Sequence, residues 1–258
     1  MIDIETGREE MTSIKREEFL YISSNEQYFL YAVFNEESEN YTISVYDHTT
    51  STSQALLNAL DLPWRGLIDV SPLDLRLAAN ISGQIYILQN DLTNTQQISD
   101  LDGYHNFAEG ISWSPDGSKT IYLAEDLSSA DEIATTRDLA LYDLETVQLH
   151  LIEIGAIYPV PGDTAWSPDS QMIALTNLQD VLCIIDVGSV THRCFNLIEQ
   201  FGESSLGWYD WSPYEHKLAL TVWMEEIEAL NLYIFDPASG EFQLVAANIT
   251  GGWVSWTK

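Results

Sequence analysis

The sequence predicts an all-β fold, a β-propeller of four-stranded antiparallel blades, and three observations support this prediction. One short motif recurs about every 45 residues, which is the length of one propeller blade. A second motif, made of tight-turn residues, recurs between the copies of the first. No long helical period interrupts the short alternating or apolar stretches that are typical of strands.

The first motif ends one predicted strand and opens a turn. Its intact copies contain Trp-Ser-Pro, and the first of them continues with Asp-Gly. Degenerate copies replace the Trp with another apolar residue, and a further copy restarts near the C-terminus. The equivalent landmark positions are Ile22, Val70, Trp113, Trp166, Trp211 and Trp256. Because Pro presets φ at the second position of a turn, the motif predicts a strand, a tight turn and a second strand.

The second motif is an apolar strand that ends in Asp or an equivalent residue. The copies end at Asp47, Leu88, Asp143, Asp186 and Asp236. We expect each Asp to accept hydrogen bonds from main-chain N–H groups two residues further on, while Gly or Asn takes the positive φ that closes the hairpin.

Each repeat therefore contains four strands, A to D, with strand A ending at the landmark residue. In this arrangement the A–B and C–D turns lie on one face of the propeller, here called the turn face. The B–C loops and the D–A connections lie on the other, here called the mouth face. The turns are short and repeated, whereas the mouth segments are uneven and include an insertion at 125–137. Because binding residues concentrate on such loops, the mouth face is the predicted functional surface.

With these motifs the sequence resembles the TolB-like propellers, whose repeats carry the same Trp-Ser-Pro-Asp-Gly signature. These propellers are distant relatives of the WD-repeat and prolyl-oligopeptidase propellers. The resemblance covers nearly the whole chain and implies the fold. It implies no particular activity, because the signature residues build turns and packing between blades.

We expect a single domain over residues 1–258. The five complete repeats span about 18–63, 64–108, 109–161, 162–206 and 207–250. Residues 2–7 copy a strand-C ending, and 251–258 supply a strand A, so 1–17 and 251–258 would form a split sixth blade. A six-bladed propeller closed by its termini is favoured over five blades. The alternative is that the chain is a piece of a longer protein or of a larger assembly.

The chain is strongly acidic, with a formal net charge of −30 from 40 acidic and 10 basic residues. This charge opposes binding to nucleic acid or to anionic lipid. Two interpretations remain: a solvated surface adapted to a salty or extracellular setting, or attraction of a basic partner or divalent cations. No apolar run is long enough to span a membrane, and residues 1–10 lack a secretory signal. Resemblance and acidity favour a periplasmic or extracellular location, but the compartment stays open.

The two cysteines, Cys183 and Cys194, flank the turn of one predicted hairpin. Pairing the strands around Gly188 places them opposite or nearly opposite one another, although a bulge would shift the register by one. A cross-strand disulfide and two free buried thiols are both compatible with this pattern. A zinc site is not, because it needs four ligands.

Aromatic and acidic residues collect in the mouth segments, where they suggest a binding surface for a peptide, a sugar or a basic protein segment. The candidate binding residues are Trp64, Arg65, Tyr104, His105, Glu109, Tyr158, Asp163, Glu203, Trp208 and Trp223. Trp208 has an alternative structural role as a plug of the funnel. The landmark residues Trp113, Trp166 and Trp211 are expected to pack between blades.

No catalytic residue, metal ligand or cofactor is predicted. Asp69 and Asp210 share the position before the landmark, but the other repeats have Tyr, Ser or Ala there, so no acid cluster is evident. The segment 126–132 lacks the glycine and ligand alternation of a calcium loop. Residues 202–207 miss the Gly-x-Ser-x-Gly spacing of the peptidase relatives.

The sequence thus favours a non-catalytic binding or scaffold propeller that presents an aromatic and acidic face to a protein, peptide or glycan. A protein or peptide partner, basic under one interpretation of the charge, is expected. The alternative is a propeller hydrolase or lyase that acts on a glycan or small ester with acidic residues near the axis.

Overall fold

The computed structural model describes residues 17–22, 28–35, 40–59, 68–81, 83–89, 95–99, 104–126, 137–154, 166–176, 181–251 and 254–256. Within them the chain forms five antiparallel sheets, each of consecutive strands hydrogen-bonded in chain order. This architecture confirms the predicted fold class, whereas a count of six blades stays a prediction.

The first sheet contains β1 (Glu17–Ile22), β2 (Tyr28–Asn35), β3 (Asn40–Asp47) and β4 (Thr52–Ala59). The second contains β5 (Ile68–Val70), β6 (Leu77–Ile81), β7 (Gln84–Leu88) and β8 (Thr95–Gln97). The third contains β9 (Tyr104–Trp113), β10 (Lys119–Asp126), β11 (Arg137–Asp143) and β12 (Gln148–Ile152).

The fourth sheet contains β13 (Met172–Thr176), β14 (Val181–Asp186) and β15 (Thr191–Asn196), with a single bridge from Trp166 to Ile173 at its inner edge. A short helix, α1 (Leu197–Phe201), follows. The fifth sheet contains β16 (Ser204–Trp211), β17 (Leu218–Met224), β18 (Ala229–Asp236) and β19 (Glu241–Ile249), with a 3₁₀ helix at Glu225–Ile227.

The landmark motif forms the A–B turn as predicted. The inner strands β9 and β16 end at Trp113 and Trp211. In the third sheet Ser114 N donates to Lys119 O over 2.9 Å, and Lys119 N donates back to Ser114 Oγ over 2.9 Å. Ser167 and Met172 repeat both bonds at 2.8 Å in the fourth sheet. The Ser side chain therefore replaces a strand hydrogen bond at the point where the chain reverses.

The Asp residues that end the third strand of a sheet also close turns as predicted. Asp143 Oδ1 accepts hydrogen bonds from the main-chain N–H groups of Glu145 and Thr146, both at 2.9 Å. Asp47, Asp186 and Asp236 accept equivalent bonds.

The expectation that Gly or Asn takes the positive φ in these turns is wrong in three of the four. The fourth residue after the Asp has positive φ each time, and it is Ser51, Val147, Val190 or Gly240. The Asp hydrogen bonds fix the turn and hold even a β-branched residue in the left-handed region.

Three apolar clusters join the second sheet to the third, the third to the fourth, and the fourth to the fifth. Alternate residues of a strand enter different clusters. In β10, Tyr122 packs against the second sheet and Ile121 against the fourth. The landmark residues Trp113, Trp166 and Trp211 are all buried in these clusters, so the prediction that they pack between blades is confirmed.

Cys183 and Cys194 form a disulfide that crosses directly between β14 and β15. The hairpin has no register shift, so the two residues are exact partners. Of the two states that the sequence leaves open, the structure therefore has the disulfide.

Candidate functional site

Contacts between neighbouring sheets, including the bond from Arg76 Nη2 to Gly117 O over 3.4 Å, show that the turn ends of the second to fifth sheets lie side by side. Asp116 N donates to Ser170 Oγ over 3.0 Å, which joins the A–B turns of the third and fourth sheets. His216 Nε2 and Asp169 Oδ2 join those of the fourth and fifth. Arg193 Nη1 donates to the carbonyls of Pro237 and Ala238, each over 3.3 Å. The turn face is thus continuous across these sheets, and the opposite strand ends form the mouth face.

Basic side chains are concentrated on the turn face. Among the described residues, the Lys and Arg side chains of this face are Arg76, Lys119, Arg193 and Lys217, and only Arg137 begins a strand at the mouth. Lys119 Nζ lies 3.1 Å from Asp143 Oδ2, and Arg76 Nε lies 2.8 Å from Asp74 Oδ2. The cations of the turn face are therefore already engaged by acidic groups or carbonyls of the same face.

The same partners hold down the pKa values of turn-face carboxyls. Partial burial raises the pKa of Asp143, but the N–H groups of Glu145 and Thr146 and the Lys119 ammonium outweigh it, so the pKa is lowered. In Asp169, likewise, burial is outweighed by Ser167, His216 and Gln171, and the pKa is again lowered. These carboxylates stabilise their turns in the charged form.

The B–C connections of the mouth face have the opposite composition. The B–C connections have the sequences Glu-Glu-Ser-Glu at 36–39, Ser-Gly at 82–83, Leu-Ser-Ser-Ala-Asp-Glu-Ile-Ala-Thr-Thr at 127–136, Asn-Leu-Gln-Asp at 177–180 and Glu-Glu-Ile-Glu at 225–228. None of these sequences contains Lys or Arg, and four of them contain Asp or Glu. The B–C connections therefore supply acidic residues and no basic ones to this end of the sheets, where Arg137 directly follows one connection and Arg65 belongs to a D–A connection of the sequence.

The fifth sheet shows the mouth face in most detail. We call residues 197–203 and 223–228 the fifth-sheet rim. Its two segments meet where Glu225 N donates to Glu203 O over 3.0 Å. The exposed acidic residues of the rim are Glu199, Glu203, Glu225, Glu226 and Glu228. Ile198 and Ile227 expose 46% and 51% of their surfaces, and Trp223 is half-buried. The rim thus combines negative charge with exposed apolar surface.

Inner strands bulge just before the landmark residue in three sheets. The pairing shifts between Phe19 and Tyr21 in β1, across residues 107–112 in β9, and between Leu206 and Tyr209 in β16. Glu109 and Trp208 both lie within these irregular segments. In β16 the bulge is fixed by Thr221, whose Oγ1 accepts from Trp208 N at 2.9 Å. Bulges bend and twist a strand locally.

The structure corrects the placement of several candidate residues. Tyr104, His105 and Glu109 lie within β9 and not in a D–A connection, because β9 begins at Tyr104. Trp208 and Trp223 lie within β16 and β17, and Glu203 is in the fifth-sheet rim. The candidates Trp64, Arg65, Tyr158 and Asp163 lie outside the described residues.

Sequence reasoning missed α1 and the role of two acidic residues. The helix is capped by Asn196, whose side chain accepts from Ile198 N and Glu199 N, and this Asn before an apolar pair was the available signal. Asp69 and Asp210, the two acids that share the position before a landmark residue, instead bind the next landmark Trp along the chain. Asp69 Oδ2 accepts from Trp113 N at 2.6 Å, and Asp210 Oδ2 accepts from Trp256 N at 3.2 Å.

Across the part of the chain that the structure describes, no three His, Cys, Asp or Glu side chains are grouped so that they could hold a metal ion. In the same part, no helix has the length and apolar character needed to cross a membrane.

No protein-family model matches the chain, and no curated protein matches its sequence. Solved structures match its fold. Oligogalacturonate lyase from Vibrio parahaemolyticus matches with TM-score 0.65 at 13% identity, over 89% of this chain and 64% of that chain. An oligogalacturonate lyase in complex with manganese matches with TM-score 0.64 at 12% identity and the same coverage. The β-propeller domain of the trilobed protease from Pyrococcus furiosus matches with TM-score 0.52 at 15% identity, over 87% and 67%.

The chain spans 64% of the length of the two lyases. At these identities the likeness concerns the fold and carries no activity with it. Together with the repeated turns, it shows that the chain has a β-propeller fold.

Proposed function

We propose that this protein is a non-catalytic binding propeller whose mouth face holds a basic protein or peptide segment. The observation that carries the proposal is the unequal use of charge on the two faces. Basic residues of the turn face are engaged by acids and carbonyls of the same face, whereas four of the five B–C connections of the mouth contain acids and none of the five contains Lys or Arg. Such a field attracts cationic segments and speeds their association.

The fifth-sheet rim supports a peptide rather than a simple cation as the ligand. Ile198, Ile227 and Trp223 offer apolar surface beside the exposed glutamates. A segment that alternates basic and apolar residues would satisfy both features, because aromatic and apolar contacts supply affinity while charge supplies steering. The disulfide also fits an oxidising compartment, where such a partner would be extracellular or periplasmic.

The test is a titration of a labelled peptide of alternating Lys and Leu residues, followed by fluorescence anisotropy. The rim variant Glu225→Gln/Glu226→Gln/Glu228→Gln is compared with the turn-face variant Glu145→Gln/Glu215→Gln/Glu241→Gln, which changes the net charge equally. We expect the rim variant to weaken binding about tenfold, or about 1.4 kcal/mol, and the turn-face variant to weaken it less than about twofold. Equal weakening by both variants would mean that only overall charge attracts the peptide.

A second titration uses Trp223→Ala. Loss of the aromatic contact should raise Kd about fivefold or more while leaving the salt dependence of binding unchanged, because no charge is removed. Unchanged affinity would place the apolar part of the interface elsewhere on the mouth face.

A glycan-active enzyme is the second candidate, and the fold likeness to the two oligogalacturonate lyases favours it. The charge of the mouth weighs against that substrate class, since a uronate chain carries a carboxylate on every sugar and would meet acidic connections. Glycosides, uronates and lactones should be assayed with and without calcium and manganese. Clear turnover would overturn the binding proposal.

A further inference from the structure

Two junctions of the molecule are fastened by the same pair of hydrogen bonds. At the first, Asp69 Oδ2 accepts from Trp113 N at 2.6 Å, and Asp69 O accepts from the Trp113 indole N–H at 3.2 Å. At the second, Asp210 accepts from Trp256 in the same two ways, at 3.2 and 3.1 Å. Each Asp directly precedes a landmark residue and binds the next landmark Trp along the chain.

Ser112 and Trp166 hold these positions at the junction of the third and fourth sheets. Both are buried, with 2% exposure each. Within the described part of the chain, neither Ser112 Oγ nor Trp166 Nε1 has a hydrogen-bond partner. Trp113 Nε1 bonds to the main-chain carbonyl of Asp69, whereas Trp166 Nε1 has no bond to the carbonyl of Ser112. The change from Asp to the shorter Ser therefore does not by itself explain how the junction of the third and fourth sheets differs from that of the second and third.

The strand pairing places both polar groups at one interface. Ser112 is paired with Ile121 across β9 and β10, so their side chains share a face of the third sheet. Ile121 and Trp166 belong to one apolar cluster between the third and fourth sheets. Ser112 and Trp166 therefore lie at the same buried junction, one on each of its two sides.

The residues paired with the acidic and hydroxyl positions also differ. Asp69 is paired with Ala78 and Asp210 with Ala219, whereas Ser112 is paired with the larger Ile121. The rest of the cluster is aliphatic, including Leu123 and Leu139. An ion would have no counter-charge there, and Ile121 takes up space that a larger molecule would need.

We propose that the junction of the third and fourth sheets binds a single buried water molecule, which accepts from Trp166 Nε1 and bonds to Ser112 Oγ. Water both accepts and donates hydrogen bonds without carrying charge, and buried polar groups in proteins are almost always hydrogen-bonded, either to protein or to ordered water. The junction of the third and fourth sheets is then bridged by water, whereas the junctions at Asp69 and Asp210 are bridged by a carboxylate.

Two measurements test this site. A crystal structure at about 1.5 Å should show a density peak within hydrogen-bond distance of both atoms, at about 2.7–3.2 Å. NMR of the ¹⁵N-tryptophan-labelled protein should show a cross-peak between water and the Trp166 indole proton, assigned with Trp166→Phe. The Trp113 indole proton, which bonds to Asp69, should show none.

The variant Ser112→Val removes the hydroxyl and fills its space, so the Trp166 water cross-peak should be lost while the Trp113 signal stays unchanged. Absence of a density peak in the wild-type crystal, or a cross-peak that persists in Ser112→Val, would overturn the proposal. The crystal measurement needs only the wild-type chain and decides the question even if the variant does not fold.

Discussion

The turn face and the mouth face are built from the same strands but use their polar residues differently. On the turn face, Asp143 accepts two main-chain hydrogen bonds and pairs with Lys119. On the fifth-sheet rim, Glu225, Glu226 and Glu228 are exposed beside exposed apolar surface. The difference teaches that carboxylates occupy two environments here. Carboxylates at the turns are bonded and stabilise the fold, whereas those of the fifth-sheet rim are exposed, which the proposed binding role requires.

The largest expected effect is the difference in unfolding free energy between a substitution of a buried Trp and one of a Trp at the mouth. Trp113 is fully buried and bonded to Asp69, so Trp113→Leu should lower the free energy of unfolding by about 3–5 kcal/mol in urea titrations. The half-buried Trp223 is the matched control at the mouth, and Trp223→Ala should cost about 1 kcal/mol. Similar losses for both would break the comparison.

Removal of one carboxylate from each face should give the next largest difference. Asp143→Ala loses two N–H hydrogen bonds and the Lys119 pair, which we expect to cost about 1–2 kcal/mol of unfolding free energy. Glu226→Ala at the rim should stay within about 0.5 kcal/mol of wild type. Chemical denaturation of both variants measures this difference, and a loss above 1 kcal/mol for Glu226→Ala would show that the rim also stabilises the fold.

The strained turn residue gives an effect of opposite sign. Val147 is 63% exposed and has a φ of 57°, which is unfavourable for a β-branched residue. Val147→Gly should therefore stabilise the protein by about 1 kcal/mol, measured as a rise in Tm. Glu145→Gly in the same turn, where φ is not positive, should lower Tm instead. A fall in Tm for Val147→Gly would mean that the turn is not strained.

The smallest expected effect per carboxyl group is the change in Tm with pH. Asp116, Asp143 and Asp169 have pKa values lowered by their turn partners. A lowered folded-state pKa gives stability that is complete above the unfolded value, about 3.9, and is lost as pH falls through the folded value. Tm measured from pH 6 to pH 3 should therefore fall only below about pH 4.

The Asp143→Ala variant should lose part of this acid-induced fall, and the rim variant Glu225→Gln/Glu226→Gln/Glu228→Gln should keep all of it. If the fall in Tm below about pH 4 disappears in the rim variant, the acid sensitivity belongs to the mouth face.

Local sequence was enough to predict the repeated turns of the turn face. The strand end at Trp113, the turn after it and the turn at Asp143 depend on residues within a few positions of one another, so a short sequence motif predicts each of them. The mouth was predicted less well. Tyr104, placed in a connection from its polar neighbours, begins β9, because pairing with β10 extends the strand.

The sequence by itself determined the all-β repeat, the positions of the landmark residues and the acidity of the mouth segments, since each is a property of composition or of short-range spacing. Only the tertiary structure decided that Asp69 and Asp210 bind the next landmark Trp, that Cys183 and Cys194 are bonded, and that Trp166 shares a buried cluster with Ile121, the strand partner of Ser112. These facts depend on strand register and on contacts between sheets about 45 residues apart, and no local pattern specifies which partner a side chain will meet across a junction.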